Sequence, residues 1–295
     1  MLLYAPAKYK KLKYTHTMIS STTKKTLLYL IGGFFIIFYS NAQAQDDINV
    51  VNWYYSTMFG TGYYKVGDAN VGIIRLPFTY TFKTTRENKD KYGMKLLLPV
   101  STGFHSFDYN DILDLPNNVA TLSFVPGIEL EYLMNKSWIL MPYVNTGLGK
   151  EFNQKIWSWI YGAGIKSRWA LPFKDGEFTL GNSLNYAGYS ASDNSSSGML
   201  SFVNGLNWIT PLKFTLFKRS TNLGTHLIYY GYLDELNFID SNANNLSIRH
   251  EFEFAVTLGT HKPRSFLGFD FTRYGLGFRF GQHIRAIRLV TEFSY

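Results

Sequence analysis

This sequence predicts an all-β protein, a transmembrane antiparallel up-and-down β-barrel of twelve strands, with ten or fourteen as the neighbouring solutions. Three observations carry the prediction. Past residue 44, apolar residues recur with a period of two, and no stretch keeps a 3.6-residue period over a useful length. Many of the alternating runs are 11 to 15 residues long. Strands of soluble proteins centre on about 5–6 residues, whereas tilted strands crossing a bilayer need about 9–11. The chain is also specifically aromatic: 24 Phe, 22 Tyr and 6 Trp make 18% of a sequence that is only 46% hydrophobic.

The N-terminal 44 residues stand apart from this pattern. Lys24-Lys25 precede "TLLYLIGGFFIIFYS", an apolar run of about 14 residues, and then Ala42-Gln43-Ala44. A basic region, a short apolar region and small residues at Ala42 and Ala44 form the pattern of a cleaved export signal. The run falls short of the roughly 20 residues of a membrane-spanning helix. Met18 would serve as well as Met1 for a start, so 1–44 reads as an extension plus signal and 45–295 as the barrel. The net charge of +8 is concentrated here too. Six of the 29 basic residues are lysines before residue 46, where there are no acids, which leaves 23 bases against 21 acids. A near-neutral remainder gives nucleic-acid binding no support. With no cysteine, disulfides, thiolate-held zinc and a thiol nucleophile are excluded.

The expected strands lie near 48–59, 70–84, 94–104, 119–133, 137–150, 156–169, 177–189, 198–214, 223–233, 246–259, 265–280 and 284–295. In "VATLSFVPGIELEYLM" one face reads Leu122, Phe124, Ile128, Leu130 and Tyr132, and the other Thr121, Ser123, Gly127, Glu129 and Glu131. The polar faces are rich in small neutral residues such as Thr179, Gly181, Ser183 and Asn185, which suits a confined wet lumen. Apolar faces end in aromatic groups (Trp53 and Tyr55, Trp157 and Trp159, Trp208, Tyr230 and Tyr232) that fit girdles at the headgroup level. The long polar linkers "GTGYYKVGDA", "HSFDYNDILDLPNN", "SASDNSSSG" and "DELNFIDSNANN" all follow odd-numbered strands. With a periplasmic N-terminus they would face outward, as barrel loops do.

Several stretches, "YGMKLLLPVSTGFHSFDYNDILDLP", "TLSFVPGIELE", "PYVNTGLGKEF", "WIYGAGIKSR", "YGLGFRFG" and "IRAIRLV", resemble the solitary outer-membrane autotransporter-like β-barrel domain family of Gram-negative bacteria. The similarity covers roughly 70–295 and implies an outer-membrane barrel, with no catalytic residues to carry over. A translocator of that kind needs a passenger and a linking segment threaded through the pore. Only about four residues, "QDDI", separate Ala44 from the first expected strand, so no passenger is expected.

Chemistry has few candidates. A lipid hydrolase would need a serine beside a histidine, and His226 and His250 both read as lying on apolar faces. His105 with Asp108, Asp111 and Asp114 could suggest a rim protease, but an acidic loop is usually solvated. The six histidines never fall at metal-ligand spacing, and "GLGFRFG" lacks the strand-to-helix context of a phosphate loop. No cofactor is implied. The strongest lead is a set of charges on polar faces: Glu129, Glu131, Lys166, Arg168, Arg249, Glu251, Glu253, Arg273, Arg279, Arg288 and Glu292. They would form a cross-strand network filling the lumen, or a charged constriction selecting small solutes. The last strand should run to the final residue, with Leu289, Phe293 and Tyr295 on its outer face as an insertion signal for the barrel-assembly machinery. The expected partners are outer-membrane lipid and that machinery, around a monomer.

Overall fold

The computed structural model describes residues 53, 55–67, 69–85, 91–105, 120–173, 176–216, 219–239, 245–266, 269–291 and 293. All lie within one compact unit, Ala44–Tyr295. The strands are β1 (Gly62–Val66), β2 (Ala69–Lys83), β3 (Tyr92–His105), β4 (Thr121–Phe124), β5 (Gly127–Leu133), β6 (Trp138–Glu151), β7 (Trp157–Phe173), β8 (Gly176–Ala191), β9 (Ser196–Leu216), β10 (Arg219–Ile239), β11 (Asn245–Phe266), β12 (Phe269–Gly281) and β13 (Ile284–Val290). One helical turn, α1 (Tyr55–Met58), precedes them. Each strand pairs antiparallel with its neighbours, and β1 closes the ring by pairing with both β2 and β13.

β4 and β5 are two halves of one stave. Both pair with β3 and with β6, and the break falls at Val125-Pro126, where proline has no N–H to donate. Thirteen strands therefore make a closed twelve-stave barrel.

The alternation sorts the side chains as the period-two pattern requires. On β5 Glu129 and Glu131 are buried while Ile128 and Leu130 are exposed. On β11 Glu251, Glu253, Ala255 and Thr257 point inward, and Phe252, Phe254, Val256 and Leu258 outward. An outer surface of this apolarity needs a lipid-like surround. The outward aromatics gather in two bands. One holds Trp157, Trp159, Tyr229, Phe252 and Phe280, at the end of the barrel carrying the turns at Gly67, 192–195 and 282–283; that end is called the rim below. The other holds Tyr80, Phe82, Tyr92, Tyr132, Trp138 and Trp169 at the far end, with Trp138 stacked on Trp169 at 4.8 Å. On β7, Trp159 and Trp169 are ten residues apart. At about 3.3 Å per residue and a tilt of about 40°, that is about 25 Å along the barrel axis, the height of an outer-membrane apolar band.

Four expectations are corrected. The first stave is not 48–59: Trp53 lies in a turn and Tyr55–Met58 is helical, while "GYYKV", expected within a loop, is the strand. Two linkers shrink because their polar sequence continues as strand, with β10 reaching Ile239 and β11 reaching Phe266. The ladder there projects beyond the aromatic bands. Finally, the last strand ends at Val290 rather than running to residue 295. Its partner β1 begins only at Gly62, and the chain before Thr61 has left the wall, so β13 loses its ladder on that side.

Candidate functional site

The barrel interior at the rim end is filled. Trp53, Phe59, Tyr64, Ile73, Val125, Ile160, Met199, Tyr230, Tyr232, Leu236, Ile248 and Ile284 form one buried cluster drawn from staves all round the ring. Trp53 and Phe59 belong to the segment before β1, so Trp53 and residues 55–60 act as a plug lying inside the wall. Polar contacts tie the plug to the wall, and the Tyr64 hydroxyl donates to the Gly60 carbonyl at 2.9 Å. The Arg75 guanidinium donates to the Ser56 carbonyl at 2.6 Å, and the Ser101 hydroxyl donates to the same oxygen at 3.4 Å. The Trp53 ring packs where a side chain on Gly149 would otherwise stand. Only glycine permits that approach.

Beside the plug, β10–β13 supply the first charge cluster. Arg279 Nε donates to Glu251 and Nη2 to the Tyr232 hydroxyl at 2.7 Å, and Tyr232 donates to Glu251 at 2.6 Å. Both charged side chains are 0% exposed. The Arg279 guanidinium lies 3.8 Å from the centre of the Tyr230 ring and 4.9 Å from that of Phe59, so the plug's own ring covers the buried cation. One turn of the pleat away, Glu253 accepts from Arg288, from Tyr230 at 3.1 Å and from His226 at 3.2 Å. Two carboxylates face two guanidiniums here, so the fixed charges balance.

A second cluster lies on β3, β5 and β7. Lys95 bridges Glu131 at 2.7 Å and Glu129 at 3.7 Å, and Lys166 reaches Glu129 at 2.9 Å. Both lysines are about a quarter exposed, at 27% and 25%, so this cluster is wetter than the first. Toward the far end the inner side of β2 opens as well, with Thr79 and Thr81 exposed. The lumen is closed at the rim and hydrated below it.

The sequence-derived charge set is thus divided. Glu129, Glu131 and Lys166 join in one cluster, and Glu251, Glu253, Arg279 and Arg288 in another. Arg168 is half-buried on β7 and takes part in an interaction within the lumen. Arg273 bonds Asn222 at 3.1 Å, six residues along β12 from Arg279 and so about 20 Å from the Glu251–Glu253 level. It is not their partner. Arg249 is on the outside, 61% exposed and paired with Glu235. A register shift between Gly231 and Leu236 puts Ile248 inward and lets Arg249 and His250 both face out. Glu292, Tyr295, Ala42 and Ala44 lie outside the described residues, as do Asp108, Asp111 and Asp114. Leu289 is exposed on the outer face as expected, but Phe293 turns inward, its ring centre 5.7 Å from that of His226.

His226, Tyr230 and Tyr232 point into the lumen, not outward as their sequence suggested, and Trp53 is likewise inside. His226 engages Glu253, and His250 the Tyr229 hydroxyl at 2.7 Å. Neither has a serine hydroxyl as partner among the described residues. The sequence also missed Lys95, although it faces Glu129 directly across the β3–β5 pair.

No protein-family model and no curated protein matches the chain. Among solved structures it is similar to the beta domain of the Bordetella autotransporter BrkA (6% identity, covering 78% of this chain and 92% of that one, TM-score 0.39). It is also similar to the siderophore receptor PirA of Pseudomonas aeruginosa (11% identity, 79% and 41%, TM-score 0.35). A third is the outer membrane transporter YddB of Escherichia coli (9% identity, 75% and 36%, TM-score 0.28). The chain spans less than half the length of the latter two. At these scores the likenesses carry no argument, and the fold rests on this chain's own strand pairing.

Proposed function

We propose that the chain is an exported, monomeric bacterial outer-membrane barrel that is closed at rest and admits small solutes when the plug, Trp53 with residues 55–60, withdraws from the rim. Support for the membrane reading comes from the ring closure, the apolar exterior and two aromatic bands about 25 Å apart. A small-solute role is favoured by one observation above the rest. The plug is a short segment packed by its rings and hydrogen-bonded against Arg279, Arg75, Tyr64 and Gly149, above a lumen lined by the part-exposed Lys95 and Lys166 with Glu129 and Glu131. Once the plug leaves, that second cluster becomes a charged constriction for passing solutes. Catalysis forms no part of this reading. Lipid is the expected surround, and the barrel-assembly machinery the expected partner during insertion.

Planar-bilayer conductance tests the proposal. Wild-type protein should give almost none, and Trp53→Ala/Phe59→Ala should give discrete small conductances. A variant that folds and stays silent would make the barrel a structural one.

A further inference from the structure

Lys65 and Arg285 stand directly opposite each other across the β1–β13 pair, and both are exposed on the outer face. Their sequence neighbours settle the direction: Tyr64 and Val66, and Ile284 and Ala286, are all buried inside. Opposed residues on one face of an antiparallel pair have Cβ atoms about 4.5–5.5 Å apart, and like charges at that spacing repel. Among the described residues neither cation has a hydrogen-bond or ion-pair partner. The nearest polar group in register is Asn70, opposite Lys65 on β2, and it brings no charge.

The depth of this pair is fixed by the ladder. Arg285 pairs with Phe280, Phe280 with Phe252 and Phe252 with Tyr229, so the two cations continue the row that forms the rim-side aromatic band. Each is also close to the end of the wall, where Gly67 N–H donates to the His283 carbonyl and ties the turns together. Aromatic bands mark the headgroup level of a bilayer. Two cations held side by side at that level, facing outward and without a partner among the described residues, are suited to an anion.

We infer that Lys65 and Arg285 bind the phosphate of an anionic lipid headgroup, with Asn70 as an adjoining hydrogen-bond donor. A phosphate oxygen between the two cations turns their repulsion into two charge-assisted contacts, and the guanidinium is suited to take two oxygens at once. The acyl chains would then lie along Ile287 and Phe278, paired with each other and both exposed below the pair. The inference rests on the membrane reading but not on conduction.

The test uses the full chain refolded into phosphatidylcholine vesicles with or without phosphatidylglycerol, reading the temperature at which the folded band is lost. Phosphatidylglycerol should raise the wild-type midpoint, and Arg285→Gln should abolish that rise. Lys65→Glu replaces the like-charged pair with an opposite-charged one. It should raise the midpoint in phosphatidylcholine alone and remove the response to phosphatidylglycerol. Equal lipid responses in wild type and both variants would overturn the site. A full response to inorganic phosphate alone would overturn the lipid assignment. A chain that folds in neither vesicle would instead count against the membrane reading itself.

Discussion

Replacing Arg279 with methionine should destabilise the barrel more than any comparable change in its wall. The side chain is 0% exposed, as is its partner Glu251. Arg279→Met leaves that carboxylate with the Tyr232 hydroxyl alone, and stranding one member of a buried pair costs about 3–5 kcal/mol. The guanidinium also lies over the rings of Tyr230 and Phe59, contacts worth up to about 2 kcal/mol each when desolvated. Methionine recovers part of that through its sulfur, about 0.3–1.5 kcal/mol per ring. Glu251→Gln should cost about 3–5 kcal/mol for the converse reason, a guanidinium left without its counter-charge. The double variant removes both charges, so its cost should fall short of the sum of the singles by about 2–3 kcal/mol. Urea titration of the detergent-refolded barrel, followed by heat-modifiable gel mobility, measures all three. If the double variant costs the sum of the singles to within about 0.5 kcal/mol, the two charges do not act as a pair and the reasoning fails.

Three further outcomes follow from the same geometry. Gly149→Val puts a side chain where the Trp53 ring lies, so it should displace the plug, red-shift tryptophan emission and cost about 1–3 kcal/mol, read by fluorescence during unfolding. Val144 sits mid-strand on the outer face at 57% exposure, and Val144→Arg should cost about 2–4 kcal/mol in a lipid bilayer. The same substitution at Ser196, on the rim, should cost almost nothing; equal costs at both sites would argue against a hydrocarbon surround. Glu129→Gln removes the shared partner of Lys95 and Lys166, and should cost about 1–3 kcal/mol in the urea titration, because Lys95 keeps Glu131.

What the sequence revealed depended on whether the two faces of a strand differed. On β5 and β11 acids alternate with large apolar residues, so direction and burial could be read from single residues. On β10 they could not. His226, Ile228, Tyr230 and Tyr232 oppose Leu227, Tyr229 and Leu233, and both faces are aromatic and apolar. Hydrophobicity cannot choose between them, and the inward set was read as outward. Register decides it: Ile228 pairs with Glu253 and Tyr230 with Glu251, so they share the face of the lumen acids. Arg249 was misplaced because a register shift is invisible to a period-two count. The plug was misread for a related reason, since Trp53 and Phe59 are as apolar as any lipid-facing residue while their neighbour here is a buried cation. Aromatic residues inside a filled barrel carry the same sequence signal as those in its girdle.

The central claim is that Trp53 and residues 55–60 occupy the interior at the rim, and cysteine accessibility at Ser56 tests it most directly. The protein has no cysteine, so Ser56→Cys introduces a single thiol. Ser56 is 1% exposed; the substitution leaves its backbone carbonyl contacts to the wall in place and changes only the hydroxyl bond to the Trp53 carbonyl at 2.9 Å. Exposed Ser196 on the rim supplies the control. With a membrane-impermeant maleimide, the folded barrel should label at Ser196→Cys and stay unlabelled at Ser56→Cys until heat unfolds it. Rapid labelling of Ser56→Cys in the folded, gel-compact form, at the rate seen for Ser196→Cys, would contradict the account.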